Sequence, residues 1–178
     1  MYIGVRLSGF GGQGIVSGGI LLAYAGMLEG KNVSFFPSYG AEMRGGTANC
    51  SVVISDDEVA SPVVTRPDVA VVFNEPSFAK FEPLVKNGGI LIINESLINS
   101  KSNRKDIKII EVPLNAIADK LGNSKVINMI ALGVLAKVTG VIKPHSLINA
   151  IPNVYKKLKF DLIEINKKAV EEGYNFLN

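Results

Sequence analysis

Apolar residues fall along this chain in short runs separated by glycine turns and by segments of helical spacing. Residues 2–7 form a Val/Ile-bearing run that ends at Ser8, and residues 32–36, 68–73, 90–93 and 107–112 repeat the pattern. The runs at 68–73 and 90–93 are continuously apolar, as in strands buried on both faces of a parallel sheet. Residues 47–54 alternate instead, with Ala48, Cys50, Val52 and Ile54 on one side and Asn49, Ser51 and Val53 on the other. That is the period of a half-buried strand. Asp56-Asp57 then makes a turn, and residues 59–65 are expected to return as a short hairpin partner, with Pro62 marking an edge. Residues 15–28 and 76–85 read as helices, the first closed by Gly30. Strands alternating with helices predict an α/β fold. The expected architecture is one three-layer, Rossmann-like domain over residues 1–178, with a mostly parallel central sheet and an edge hairpin.

Two helices carry unusual patterns. Residues 15–28 include Gly18, Gly19, Ala23, Ala25 and Gly26. Glycine costs up to ~1 kcal/mol in a helix interior, so the small residues predict close approach by another element, in this chain or in a partner. The helix at 124–138 has Asn128 as its only polar residue between Val126 and Ala136. A helix apolar all round is buried on most sides, and a partner chain is one candidate for the second wall. Asn128 must then find hydrogen bonds, and a loop backbone is the favoured partner. Lys143-Pro144-His145 opens a short helix that Pro152 ends, with His145 at the surface or in a capping position. In a last helix, from 153 or 158 to 176, Leu158, Leu162, Ile165, Ala169 and Phe176 form the expected core stripe.

Composition removes several classes of function. The formal charge is +3 with no basic cluster interleaved with aromatics, so nucleic acid is not an expected partner. The moderately basic residues 101–108 read as a solvated loop. Cys50 and His145 are each the single residue of their type, so no internal disulfide or cysteine-ligated iron–sulfur cluster is expected, and no metal site. The longest apolar run, residues 129–136, is too short to span a bilayer. The chain starts at once on a strand pattern without a signal peptide, and a cytoplasmic location without membrane contact is expected.

The stretch Gly9-Phe10-Gly11-Gly12-Gln13-Gly14 fits G-x-G-x-x-G, with a strand before it and a helix after it. Unpaired N–H groups and the positive dipole end at such a helix start favour a phosphate or carboxylate. The plainer reading is a tight turn whose glycines only let strand and helix pack. An ordinary dinucleotide site carries an acid at the end of the second strand. Here that strand, residues 32–36, ends in Pro37-Ser38-Tyr39, so NAD is not the expected ligand. A second polar, glycine-bounded stretch follows, Pro37-Ser38-Tyr39-Gly40-Ala41-Glu42-Met43-Arg44-Gly45-Gly46.

Together the two stretches, the second continuing through Thr47-Ala48-Asn49-Cys50, resemble the γ subunit of 2-oxoacid:ferredoxin oxidoreductases. The resemblance covers roughly residues 1–135, and the wording of the second stretch is more similar to the 2-oxoglutarate branch than to the pyruvate branch. It implies a multi-subunit enzyme that oxidatively decarboxylates a 2-oxoacid to an acyl-CoA and passes electrons to ferredoxin. Thiamine diphosphate would sit between α and β subunits, and iron–sulfur clusters in β or in a ferredoxin-like δ subunit. The γ chain alone would be inactive and would supply no catalytic residue. The matched positions are Gly9, Gly11, Gly12, Gln13 and Gly14, then Ser38, Tyr39, Gly40, Glu42, Arg44, Gly45 and Gly46. The resemblance implies that they seat against the catalytic subunits or contact CoA or another anion. Two alternatives stay open: a subunit of an indolepyruvate oxidoreductase, and a free-standing nucleotide-binding domain with a regulatory role. The missing ribose acid disfavours the latter.

Overall fold

Strands Tyr2–Gly9 (β1), Asn32–Ser38 (β2), Ala48–Ser55 (β3), Val69–Val72 (β4), Ile90–Asn94 (β5) and Lys108–Val112 (β6) form one sheet in the order β2-β3-β1-β4-β5-β6. The computed structural model describes residues 1–38 and 47–177. β1, β4, β5 and β6 are parallel, while β3 runs antiparallel to both β1 and β2. The mostly parallel sheet with an edge hairpin is therefore present.

The hairpin partner is not the expected one. β3 has β1 on one side and β2 on the other, so residues 59–65 find no free edge and form no strand. They fold over β1 instead. Val64 is buried, its side chain 3.0 Å from where a Cβ on Gly4 would lie, and its carbonyl accepts from the Arg6 guanidinium. Arg6 also donates to Asn49 Oδ1 at 2.7 Å and lies over the Phe81 ring. The side of residues 47–54 expected to meet solvent is thereby covered, and every residue of β3 is buried.

Among the described residues six α-helices complete the domain: Ile15–Leu28 (α1), Glu75–Phe81 (α2), Leu114–Lys120 (α3), Ile127–Thr139 (α4), Pro144–Val154 (α5) and Phe160–Asn175 (α6). Residues of α1, α3, α4, α5 and α6 join the core on the face carrying Val5, Leu7, Val52 and Val71. The opposite face carries Ala70, Val72, Leu91 and Ile93, packed on Phe78 and Phe81 of the α2 segment. Pro152 does not end α5, which continues to Val154 with the proline in its last turn. His145 is exposed, as expected.

The glycines of α1 and α4 answer to neighbours within this chain. A Cβ on Gly19 would lie 2.8 Å from the Phe35 ring, and one on Gly26 would lie 2.7 Å from Val33, so α1 rests directly on β2 and β3. All residues of α4 from Ile127 to Ala136 are buried, and the second wall is α6 rather than a partner chain. The two helices cross backbone to backbone. A Cβ on Gly133 would reach the Tyr174 nitrogen at 2.8 Å, and one on Gly173 the Ile130 carbonyl carbon at 2.7 Å. This crossing sets the rotation of α6. Ala169, Val170 and Gly173 face inward, whereas Leu162 and Phe176, expected in the core, are exposed. Among the described residues no helix is long and apolar enough to cross a membrane.

Candidate functional site

β1 is the point at which the chain changes direction across the sheet. α1 leaves its carboxyl end to one face, and α2 leaves the neighbouring β4 to the other. Crevices at such switch points are where open α/β sheets bind ligands. The β4 side is fixed by short polar contacts. Asn74 Oδ1 accepts from Ser77 N at 2.9 Å, and Ser8 Oγ donates to Ser77 Oγ at 2.8 Å.

The glycine turn occupies the β1 side, and its glycines do different things. A Cβ on Gly9 would lie 2.8 Å from Phe73 Cβ and 2.9 Å from Ile15 Cδ1, so this position packs strand end, helix start and β4 together. Gly12 and Gly14 take φ of 91° and 73°, the left-handed region that other L-residues enter at a cost. Gly11 and Gly12 have open space around them, with nothing within 4 Å of an added Cβ. Gln13 serves the turn itself, its Oε1 accepting from Phe10 N at 2.6 Å. Gly14 is the N-cap of α1; no side chain caps the helix, and its first turn holds no acid. The positive end of a 14-residue helix is thus open at the crevice.

Asn128 supports the turn from behind. It is 5% exposed, donates Nδ2 to the Gly14 carbonyl at 3.1 Å and accepts from Met129 N at 3.0 Å. The one polar residue of the apolar helix therefore meets a loop backbone, as its setting required. A Cβ on Gly14 would fall 2.8 Å from Asn128 Cγ, so glycine is needed there for space as well as for φ.

Beneath the turn lies a cavity of about 180 Å³ bounded by Gly12, Gly14, Ser17, the Asn123–Met129 segment, Tyr155, and Leu158, Leu162 and Asn166. The Tyr155 hydroxyl is buried and faces the side chains of Ser17 and Asn128. Burial raises the phenol above its ordinary value, while the nearby Ser17 and Asn128 pull the other way, so at neutral pH it keeps its proton. On the other side of the turn an open groove of about 400 Å³ is lined mainly by apolar groups, among them Phe10, Val16, Ile20 and Ala48. Cys50 lies under the start of α1, donating Sγ–H to the Ile15 carbonyl at 3.4 Å. Burial pushes its thiol up to about 12, against the smaller opposing influence of Arg6.

Of the residues singled out in the sequence, Gly9, Gly11, Gly12, Gln13 and Gly14 form this one turn. Ser38 ends β2 at the same end of the sheet, paired across from Asn49 as Gly9 is from Ala48. β3 lies between them, so Ser38 is two strands from the turn, at ~4.8 Å per strand. The strand whose end would bear a ribose-binding acid is displaced outward by that insertion. Tyr39, Gly40, Glu42, Arg44, Gly45 and Gly46 lie outside the described residues. Sequence reasoning missed Ser17, Asn123, Lys125 and Tyr155, which the fold brings together from three separate segments. Among the described residues no group of three or more His, Cys, Asp or Glu is placed to hold a metal ion.

The profile of the pyruvate ferredoxin/flavodoxin oxidoreductase family matches residues 4–176. The chain belongs to this family. It is 40% identical over 171 residues to ketoisovalerate oxidoreductase subunit VorA of Methanothermobacter marburgensis, covering 95% of this chain and 35% of that longer protein. The chain thus spans about a third of that relative's length. Against 2-oxoglutarate synthase subunit KorC of Methanocaldococcus jannaschii it is 34% identical, covering 96% of this chain and 91% of the other. The crystal structure of the keto/oxoacid ferredoxin oxidoreductase γ subunit from Geobacter sulfurreducens superposes with a TM-score of 0.82 at 28% identity, over 97% of this chain and 96% of that one. Within the oxidoreductase family the chain is thus of the γ-subunit type.

Proposed function

We propose that this chain is the γ component of a multi-subunit enzyme that oxidatively decarboxylates a 2-oxoacid to an acyl-CoA and passes the electrons to ferredoxin, and that its glycine turn receives an anionic group of CoA. The observation that carries the second part is the uncapped start of α1, open at the switch-point crevice behind Gly12 and Gly14. Such a helix start suits phosphate. The backbone of Gly11, Gly12 and Gly14 would hold the group, Asn128 would keep the turn in shape, and CoA supplies the thiol that takes the acyl group. Ser38 and Ala48, on either side of residues 39–46, lie at the same end of the sheet as the turn. We assign Arg44 there to a phosphate or carboxylate, for which its planar fork is suited. Thiamine diphosphate and iron–sulfur chemistry belong in this reading to α, β and δ partners.

2-Oxoglutarate is the proposed substrate, on the end-to-end similarity to the KorC subunit. A branched-chain 2-oxoacid is the second reading, favoured by the higher identity to the ketoisovalerate protein. The test is to capture the complex from the native cell and assay it with 2-oxoglutarate, 2-oxoisovalerate and pyruvate, with and without CoA. CoA-dependent reduction of ferredoxin, lost on removing this chain and restored on adding it back, is expected. Full activity without the chain overturns the proposal, and the preferred oxoacid decides between the readings.

A further inference from the structure

We infer that the bare face of α1 is the seam against one larger polypeptide, the one that corresponds to the part of the ketoisovalerate protein VorA beyond its matched third. The inference rests on the reading of this chain as a γ component and names the surface by which it docks. α1 carries no charged residue. A helix apolar on every side belongs in an interior, yet only part of α1 is enclosed. Gly19 and Gly26 press it onto Phe35 and Val33, and α5 packs alongside. The remaining face is open: Ile20 is 40% exposed, Met27 58% and Leu28 49%, with Val16 and Tyr24 half-buried. Val16, Ile20 and Met27 fall within ~40° of one another around the helix axis. The face continues past the helix start, because Val16 and Ile20 also line the open groove beside the turn together with Phe10, itself 45% exposed. Neighbouring α5 shows the ordinary surface pattern, its exposed residues including His145, Asn149 and Asn153 and no large apolar side chain. Single exposed apolar residues are normal, but a face of them running along a helix and an adjoining loop marks an interaction surface. The core of a subunit interface is apolar and poor in charge, as this face is.

What covers the face follows from how the domain occurs in its relatives. The match fills 91% of the KorC protein but 35% of VorA, where the domain is joined to a larger polypeptide. A neighbour held by covalent linkage in one relative is the natural partner where the domain stands apart. A lipid surface fits less well, since α1 offers no Lys or Arg to hold headgroups.

The test expresses the tagged full chain in the native cell and purifies it with its complex, carrying benzoylphenylalanine in place of Ile20, Met27 or, as control, Leu97. Leu97 is 42% exposed, and Ile98 beside it packs on the opposite face of the sheet. Photo-cross-links from positions 20 and 27 are expected on the VorA-like polypeptide, identified by peptide mass, and none from position 97. Ile20→Lys and Met27→Lys should each lower recovery of that polypeptide at least ~10-fold, because each puts a charge into an apolar seam. The free variant chains should melt within ~2 °C of the parent, as exposed positions tolerate substitution, and Leu97→Lys should leave recovery unchanged. Full recovery with both α1 lysine variants, equal cross-linking from position 97, or cross-links from 20 and 27 to lipid or to a second copy of this chain overturns the proposal. If the parent complex shows CoA-dependent activity while both α1 variants assemble fully, the seam is wrong and the γ reading stands. If the parent chain recovers no such polypeptide, both fall.

Discussion

Replacing Gly14 by alanine separates the two demands placed on that position. Its φ of 73° is left-handed, a cost of ~1–2 kcal/mol for any residue with a Cβ. That Cβ would also lie 2.8 Å from Asn128 Cγ and inside contact distance of the amide nitrogen. Asn128 is held by its bond to the Gly14 carbonyl and is 5% exposed, so displacing it leaves a buried amide unsatisfied, at ~1–3 kcal/mol. Gly14→Ala should therefore cost ~2–5 kcal/mol. Gly12 has φ 91° but open space around it, so Gly12→Ala should cost only the backbone part, ~1–2 kcal/mol. Urea unfolding of both variants measures the difference, which at ~2–4 °C per kcal/mol also appears as several degrees of melting temperature. Adding Asn128→Ala closes a double-mutant cycle. With the amide gone, Gly14→Ala should cost at least ~1 kcal/mol less than in the parent chain. Equal losses at Gly12 and Gly14, or strict additivity with Asn128→Ala, would refute this account of the turn.

Three further outcomes follow from the packing and the charges. Gly173→Ala should destabilise by ~3 kcal/mol or more in chemical unfolding, because its Cβ meets the Ile130 backbone rather than a movable side chain; a loss below ~1 kcal/mol would contradict so close a crossing. Cys50, buried and with its thiol pushed up to about 12, should resist alkylation at pH 8 in the folded chain and react once unfolded; rapid native-state labelling would count against its placement. Asp56 is held at about 2 by hydrogen bonds from Lys31 and the N-terminal ammonium. Its stabilising effect is present above the ordinary value of 3.8 and is lost as pH falls towards 2. Carboxyl NMR should show the low midpoint, raised in Lys31→Gln; an unshifted midpoint would remove the pairing.

Much of the sheet was legible because strands such as Val69–Val72 and Ile90–Asn94 are buried on both faces and so read as unbroken apolar runs. Which strands adjoin is a non-local property. Nothing in residues 47–54 announces that β3 inserts between β1 and β2, and that insertion displaced the expected hairpin partner. The register of α6 was misread because Gly133 and Gly173 decide it, and glycine contributes nothing to a hydrophobic stripe. α3 was overlooked although Leu114, Ile117, Ala118 and Leu121 recur at helical spacing, a signal short enough to pass for linker. At the site, the turn and its support by Asn128 could be anticipated, since a buried amide in an apolar helix must find a partner. The cavity could not, because Ser17, Lys125 and Tyr155 carry no shared pattern until α1, the turn before α4 and the α5–α6 connection are brought together.

The claim that the glycine turn receives an anion of CoA is tested most directly at Gly11. An added Cβ there has nothing within 4 Å, and its φ is not left-handed, so a side chain is tolerated by the fold. Gly11→Asp places a carboxylate at the open start of α1, where it opposes a phosphate by charge. The measurement is the KM for CoA of the assembled complex, with Gly11→Asn as the uncharged control and melting temperature as the check on folding. The account predicts a KM raised at least ~10-fold by Gly11→Asp, an effect of ~1.4 kcal/mol, far less change in Gly11→Asn, and melting temperatures that stay together. An unchanged KM in Gly11→Asp, in a complex that assembles and turns over normally, would contradict it.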